Sequence, residues 1–235
     1  AMLLAADVLR LVSGALQDLE PGMAARWPWE AEEGRIGLLD FLNAALRAVA
    51  LQRPDCCAVT EVIRLEPGML QHIPSRRRHG ASRDATGFCG LVRNMGVDGE
   101  HPGASIVSAQ PDVLMAWADS VRPDCRVENF AYDRTSNSQV YYVCPPVPDD
   151  ADVYVEATYY TAPTAIQTSD QPLGVADDYA QALVHHMLAS VLSGDNESSN
   201  ATKAGYHMQQ FNALLGVKTQ VDGIWPKAKS SVGGA

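Results

Sequence analysis

The chain has 235 residues, of which 46% are hydrophobic and 20% charged, and carries a net charge of −10. That balance excludes a disordered polypeptide and gives enough length to bury a core, as one domain or two intimate ones. No apolar run reaches the roughly 18 residues that a membrane span needs, residues 1–20 lack a basic start and a cleavage site, and the acidic balance argues against a generic nucleic-acid binder; the chain reads as soluble and intracellular.

Residues 4–19 repeat Leu4, Val8, Leu11, Ala15 and Leu19 at helical spacing, and Pro21-Gly22 ends the pattern. A loop with Arg26-Trp27-Pro28-Trp29 leads to a second helix near 36–52, striped by Leu38, Leu42, Ala45, Leu46 and Val49 and stopped by Pro54. From residue 58 the period falls to two. Val59–Leu65 and Met69–Ile73 are predicted strands around the turn signal Glu66-Pro67-Gly68, with weaker candidates at Phe88–Met95 and Ser105–Ser108. Pro111 opens a short helix to about Ala118. Val127–Tyr132 and Val140–Cys144 predict an antiparallel hairpin, and Asp152–Ala162 a strand with Val153, Val155, Ala157 and Tyr159 on one face. The helical period then returns. Asp177 or Asp178 is expected to cap a helix with Ala180, Leu183, Val184, Met187, Leu188 and Val191, closed by Gly194. Ser198 or Ser199 is expected to cap a last one with Ala201, Ala204, Met208, Phe211 and Leu215, closed by Gly216.

The predicted fold class is α+β: a helical bundle of two N-terminal and two C-terminal helices, residues 1–55 and 174–216, with an antiparallel β-rich insertion at 56–173 and an extended tail at 217–235. Four helices with one apolar stripe each must bury those stripes on one another or on the sheet.

Charge is unevenly spread: residues 105–163 carry −6, while all four lysines (Lys203, Lys218, Lys227, Lys229) lie beyond residue 200. A basic end on an acidic chain suits an acidic neighbour. The tail has few apolar residues for a core, yet holds Val221, Ile224 and Trp225, and Trp is a typical interface anchor. The −6 segment, with Asp149, Asp150 and Asp152 in it, must lie somewhere solvated. Five cysteines without C-x-x-C spacing read as reduced, mostly buried thiols.

No catalytic, cofactor or metal set stands out. His185-His186 point about 100° apart on a helix and lack the acidic partner of an H-E-x-x-H site. Gly96–Gly103 is neither a phosphate loop nor a dinucleotide fingerprint. Ser75-Arg76-Arg77-Arg78-His79 is the one dense basic run; a solvated loop, contact with an acidic neighbouring subunit and contact with DNA all remain open for it.

Several segments in order resemble a known family. Arg26-Trp27, Leu38-Leu39-Asp40-Phe41-Leu42-Asn43, Leu51-Gln52-Arg53-Pro54-Asp55, Val92-Arg93-Asn94-Met95-Gly96, Tyr141-Tyr142-Val143-Cys144-Pro145-Pro146 and the closing stretch from Asp178-Tyr179 to Leu214-Leu215-Gly216 are similar to tailed-bacteriophage head–tail adaptor (connector) proteins. The resemblance implies a non-enzymatic, cofactor-free virion protein at the head–tail junction, made in the host cytoplasm. It implies a homo-oligomeric ring, usually a dodecamer, beneath the portal protein, with tail or nozzle proteins below and genomic DNA passing through without sequence-specific binding. The C-terminal segment would reach the portal, so Val221, Ile224, Trp225, Lys227 and Lys229 are the expected docking residues, and in such a ring Asp149, Asp150 and Asp152 are expected at a subunit boundary or on the channel. The arginine loop and the Pro28–Glu33 stretch depart from the family pattern. Two other readings compete: a tail or baseplate subunit binding glycans through Tyr132, Tyr141, Tyr154 and Tyr160, and a thiol hydrolase.

Overall fold

A computed structural model of the chain describes residues 3–18, 26–31, 36–118, 120–194 and 200–224, the side chains of 118 and 217–224 excepted. Among the described residues the fold is α+β, with six α-helices and two sheets. The helices are α1 (Ala5–Ala15), α2 (Leu38–Gln52), α3 (Arg76–His79), α4 (Pro111–Ala118), α5 (Ala180–Ser193) and α6 (Ala201–Ile224). The strands are β1 (Ala58–Arg64), β2 (Gly68–His72), β3 (Ala85–Asn94), β4 (Val107–Ser108), β5 (Asn129–Ala131), β6 (Val140–Val147) and β7 (Tyr154–Thr161). The chain divides into a helical unit, residues 1–56 with 163–235, and a β-rich unit, residues 57–162.

In the helical unit, residues three and four apart put one stripe of each helix into a single core. Val8, Leu9 and Val12 of α1 meet Leu38, Leu42, Leu46 and Val49 of α2, Leu183, Met187 and Val191 of α5, and Phe211 and Leu215 of α6. Each such side chain contributes about 1.5–3 kcal/mol on burial. Both early helices begin with a carboxylate reaching back to the preceding N–H: Leu4 donates to Asp7 Oδ2 at 3.0 Å and Gly37 to Asp40 Oδ2 at 3.2 Å. A negative group there also complements the helix dipole.

The helix boundaries differ from expectation at four places. α1 stops at Ala15 and turns through Gln17 (φ 58°), and Asp18 then accepts the N–H groups of Arg26 and Trp27. Asp177 and Asp178 form a single 3₁₀ turn with Tyr179 ahead of α5, and Asp177 Oδ1 accepts the Leu3 N–H at 3.2 Å instead of capping. The cap of α6 is Asn200, whose Oδ1 accepts from the Lys203 N–H at 2.9 Å; Ser198 and Ser199 lie outside the described residues. Gly216 does not close α6, which runs on to Ile224. A glycine inside a helix costs only about 1 kcal/mol relative to alanine, and Gly216 does not take the positive φ of a left-handed glycine cap.

In the β-rich unit, β7 is the centre of a three-stranded sheet, β1-β7-β3, antiparallel throughout. Its alternate residues Val155, Ala157, Tyr159 and Thr161 are buried, as strand periodicity requires. The second sheet runs β2-β6-β5-β4, and its β5–β6 pair is the predicted hairpin, with Phe130 opposite Val143. The Glu66-Pro67-Gly68 turn hands the chain from one sheet to the other. Gln71, fully buried, clasps that turn: its amide donates to the Glu66 carbonyl at 2.6 Å and accepts the Glu66 N–H at 2.8 Å. One core lies between the sheets, with Phe88 stacked on Tyr141 (4.2 Å, 11°) and edge-on to Phe130 and Tyr132. α4 covers the outer side of the second sheet through Leu114, which packs with Ala131 and Cys144.

Candidate functional site

The basic run is a single helical turn rather than a loop. Ser75 Oγ accepts the Arg78 N–H, and Gly80, at φ 68°, ends the turn in a conformation that favours glycine. Its charge is largely met inside the β-rich unit. Arg76 donates to Asp84 through its backbone N–H (3.0 Å) and its guanidinium (3.4 Å), and Arg78 Nη1 donates to Glu66 Oε1 at 3.2 Å. Arg77 is exposed and, among the described residues, has no ion-pair partner.

Glu66 is the hub of this cluster. His72 Nδ1 lies 2.7 Å from Glu66 Oε2 and 2.9 Å from Arg78 Nη1. One ring nitrogen cannot both donate and accept, and the carboxylate is the stronger partner, so the Nδ1 proton belongs toward Glu66. His79 is wholly buried. Its Nδ1 accepts the Ser75 N–H at 3.1 Å, which leaves the proton on Nε2, 3.8 Å from Glu66 Oε2 and beyond hydrogen-bond reach. Burial lowers the His79 pKa against the pull of Glu66. Burial alone would raise the Glu66 pKa, but the His72 hydrogen bond and the adjacent His72 and His79 charges hold it below the ordinary carboxylate value. A cleft of about 350 Å³ opens beside the turn, lined by Val62, Arg64, Arg78, Asp98 and Tyr154 among others.

Of the predicted acidic residues, Asp149 and Asp150 are exposed in the turn between β6 and β7, and Asp152 pairs with Arg64 Nε at 3.1 Å. Val221 and Ile224 fall on α6 with side chains outside the description, and Trp225, Lys227 and Lys229 lie outside the described residues. His185 and His186 separate as adjacent helical positions must. His185 Nδ1 is 2.9 Å from His207 Nδ1 on α6, while His186 packs edge-on against Phe211. Two readings of exposure change. Cys89 and Cys125 are exposed rather than buried. Tyr141 is buried with no partner for its hydroxyl, because its place on β6 points inward, which removes it from any glycan-binding face. Among the described residues no three His, Cys, Asp or Glu form a group that could hold a metal ion, and no helix is long and apolar enough to cross a membrane.

The recognisable motifs hold the architecture in place. Trp27 packs edge-on against Phe41 at 6.1 Å. Asn43 clamps the Ile166 backbone, its side-chain nitrogen donating to the carbonyl at 2.9 Å and its Oδ1 accepting the N–H at 2.8 Å. Arg53 forks onto Asp55 at 2.8 and 2.9 Å. Arg93 forks onto Glu156, and the buried Asn94 donates to the carbonyls of Ala104 and Val127 and accepts the Val127 N–H. Sequence reasoning assigns no role to Glu66 or Gln71 and reaches Asn94 only through the family resemblance. For Glu66 a signal existed: it and Asp84 flank the arginine run within ten residues.

Side chains of four of the quoted motifs, at Trp27, Asn43, Arg53 and Arg93-Asn94, thus hold the backbone in shape. The chain belongs to the SU10 adaptor protein family, which matches residues 4–230 and is a family of phage head–tail adaptors. No curated protein sequence matches the chain.

Proposed function

We propose that the chain is a structural subunit that joins the head and tail of a tailed double-stranded-DNA phage, acts without catalysis or cofactor, and assembles as a ring of about twelve copies below the portal. The observation that carries this is the family match over residues 4–230, with Asn43, Arg53, Arg93 and Asn94 of the shared motifs in bonded positions. The ring extends the DNA channel and offers tail proteins a platform. Its assembly begins in the host cytoplasm and it ends at the virion's head–tail junction. The net charge of −10 per copy supports the channel reading, since a wall rich in carboxylates repels DNA phosphates and lets the genome pass.

Within this reading Asp149, Asp150 and Asp152 lie at a subunit boundary or on the channel. Val221, Ile224, Trp225, Lys227 and Lys229 engage the portal. Arg77, with no carboxylate partner among the described residues, is the arginine of the basic turn best suited to a neighbouring subunit or passing DNA, since Arg76 and Arg78 are committed to Asp84 and Glu66.

Electron microscopy of the purified protein and of particles is the test. Rings with a central hole, or ring density under the portal, are expected; a monomer with no density at the junction would refute the reading. A chain ending at Gly216 is expected to fold, because it keeps every buried core residue of α6 among the described side chains, and to fail to join heads. Normal attachment by that truncated chain would remove the docking role of the tail.

A further inference from the structure

α5 and α6 pack into one core, and beside it two imidazoles meet across the helix pair. His185 Nδ1 on α5 lies 2.9 Å from His207 Nδ1 on α6, with the rings tilted by 38°. Both residues are half-buried, and neither Nε2 is among the buried polar atoms that lack a partner, so water reaches the outer edge of each ring. The Tyr206 ring stands edge-on to His207 at 5.4 Å and helps fix its orientation. Burial favours the neutral form of both imidazoles, which is the form that binds metal. Lys203, one turn earlier on α6, is a charge that opposes a cation here.

As the pair stands, the Nδ1–H of one ring donates to the Nδ1 of the other. Moving that proton to the Nε2 of its own ring, on the solvent side, leaves two Nδ1 lone pairs and changes no charge. An imidazole–metal bond is about 2.0–2.1 Å long, so two nitrogens 2.9 Å apart subtend about 90° at a shared ion. A tetrahedral ion needs them about 3.3 Å apart. Right angles between nitrogen ligands belong to nickel(II) and copper(II), whereas zinc(II) takes a tetrahedron and magnesium and calcium seek oxygen. Each lone pair must swing by about 45° to reach the ion, within the broad χ2 wells of histidine. We propose that His185 and His207 form a two-imidazole site for a divalent transition ion of right-angle coordination, nickel(II) in preference to zinc(II), with water in the remaining positions. The ion ties the first half of α6 to α5 within one copy, so the site stands apart from the ring reading.

The test uses the full-length protein, stripped with EDTA, dialysed and titrated with nickel(II) alone near neutral pH. One saturable equivalent and a rise in melting temperature are expected, with zinc(II) binding more weakly. His185→Asn and His207→Asn are each expected to lose both signals, while His101→Asn, on an exposed loop of the β-rich unit, keeps them. The unaltered protein gives a second readout. Nickel is expected to slow the modification of His185 and His207 by diethyl pyrocarbonate several-fold and to leave His101 as reactive as before. No saturable equivalent, or zinc binding tighter than nickel, overturns the inference. Loss of binding in His101→Asn, or unchanged binding in both His185→Asn and His207→Asn, marks an adventitious ion only and overturns it too.

Discussion

Asn94 makes three hydrogen bonds with backbone groups from deep inside the β-rich unit. Replacing it by alanine leaves those groups buried and unmatched, at about 1–3 kcal/mol for each that finds no water. Asn94→Ala is thus expected to lower the urea midpoint by an amount equivalent to at least 2 kcal/mol. Tyr141 is the reverse case. Its ring stacks on Phe88, yet its hydroxyl is buried without a partner, and burial together with Glu66 drives its pKa upward. Tyr141→Phe keeps the stack and removes the orphan, so equal or higher stability, by up to about 1 kcal/mol, is expected in thermal melts. Gly37 is fixed by space: a Cβ there would sit 2.5 Å from the Glu30 carbonyl carbon and 2.6 Å from the Ala31 nitrogen. Gly37→Ala must displace backbone, and a loss of about 1–3 kcal/mol is expected from the same melts.

At the scale of elements, α5 and α6 meet through histidines. Burial lowers the pKa of His185, His186 and His207, the last further through His185 and Lys203, and burial lowers that of His79 at the end of α3. In the folded state these rings stay neutral where the unfolded chain takes up protons, so stability falls as pH drops below the ordinary histidine value near 6.5. Glu61 and Glu66 act later. Hydrogen bonds from Tyr159 and Ser82 to Glu61, and from His72 to Glu66, outweigh burial and lower both pKa values, so their contribution is lost only as pH falls below about 4.5. Melting temperature is expected to decline from pH 7 to 5 and again below 4.5, and His186→Phe, against Phe211, to flatten the first decline. A flat profile in the parent would contradict this.

At the scale of the whole molecule, the helices were legible wherever an apolar stripe met a breaker: Pro54 after α2, Pro111 at the start of α4, Gly194 after α5. β7 was legible from its alternation. What local pattern could not carry was decided by distant partners. β1 and β2 look like neighbours across Glu66-Pro67-Gly68, yet β1 pairs with β7 and β2 with β6, because their inward residues are needed by different sheets. Local charge also misled. The arginine run looks unopposed in sequence until the fold brings Glu66 and Asp84 against it. A family resemblance was readable because its motif residues, Asn43, Arg53 and Asn94 among them, are the ones with specific bonds to make.

The pairing of β1 with β7 sets Ala58 opposite Tyr160, with Cα atoms about 5 Å apart. The polypeptide therefore enters and leaves the β-rich unit through one narrow doorway. An excursion anchored in that way can be lengthened, shortened or exchanged for another without moving the points where it is spliced to the flanking chain. Phages that must fit one kind of head to many kinds of tail would gain from such a cassette, and grafting residues 57–162 between related chains is the direct way to find out whether it travels.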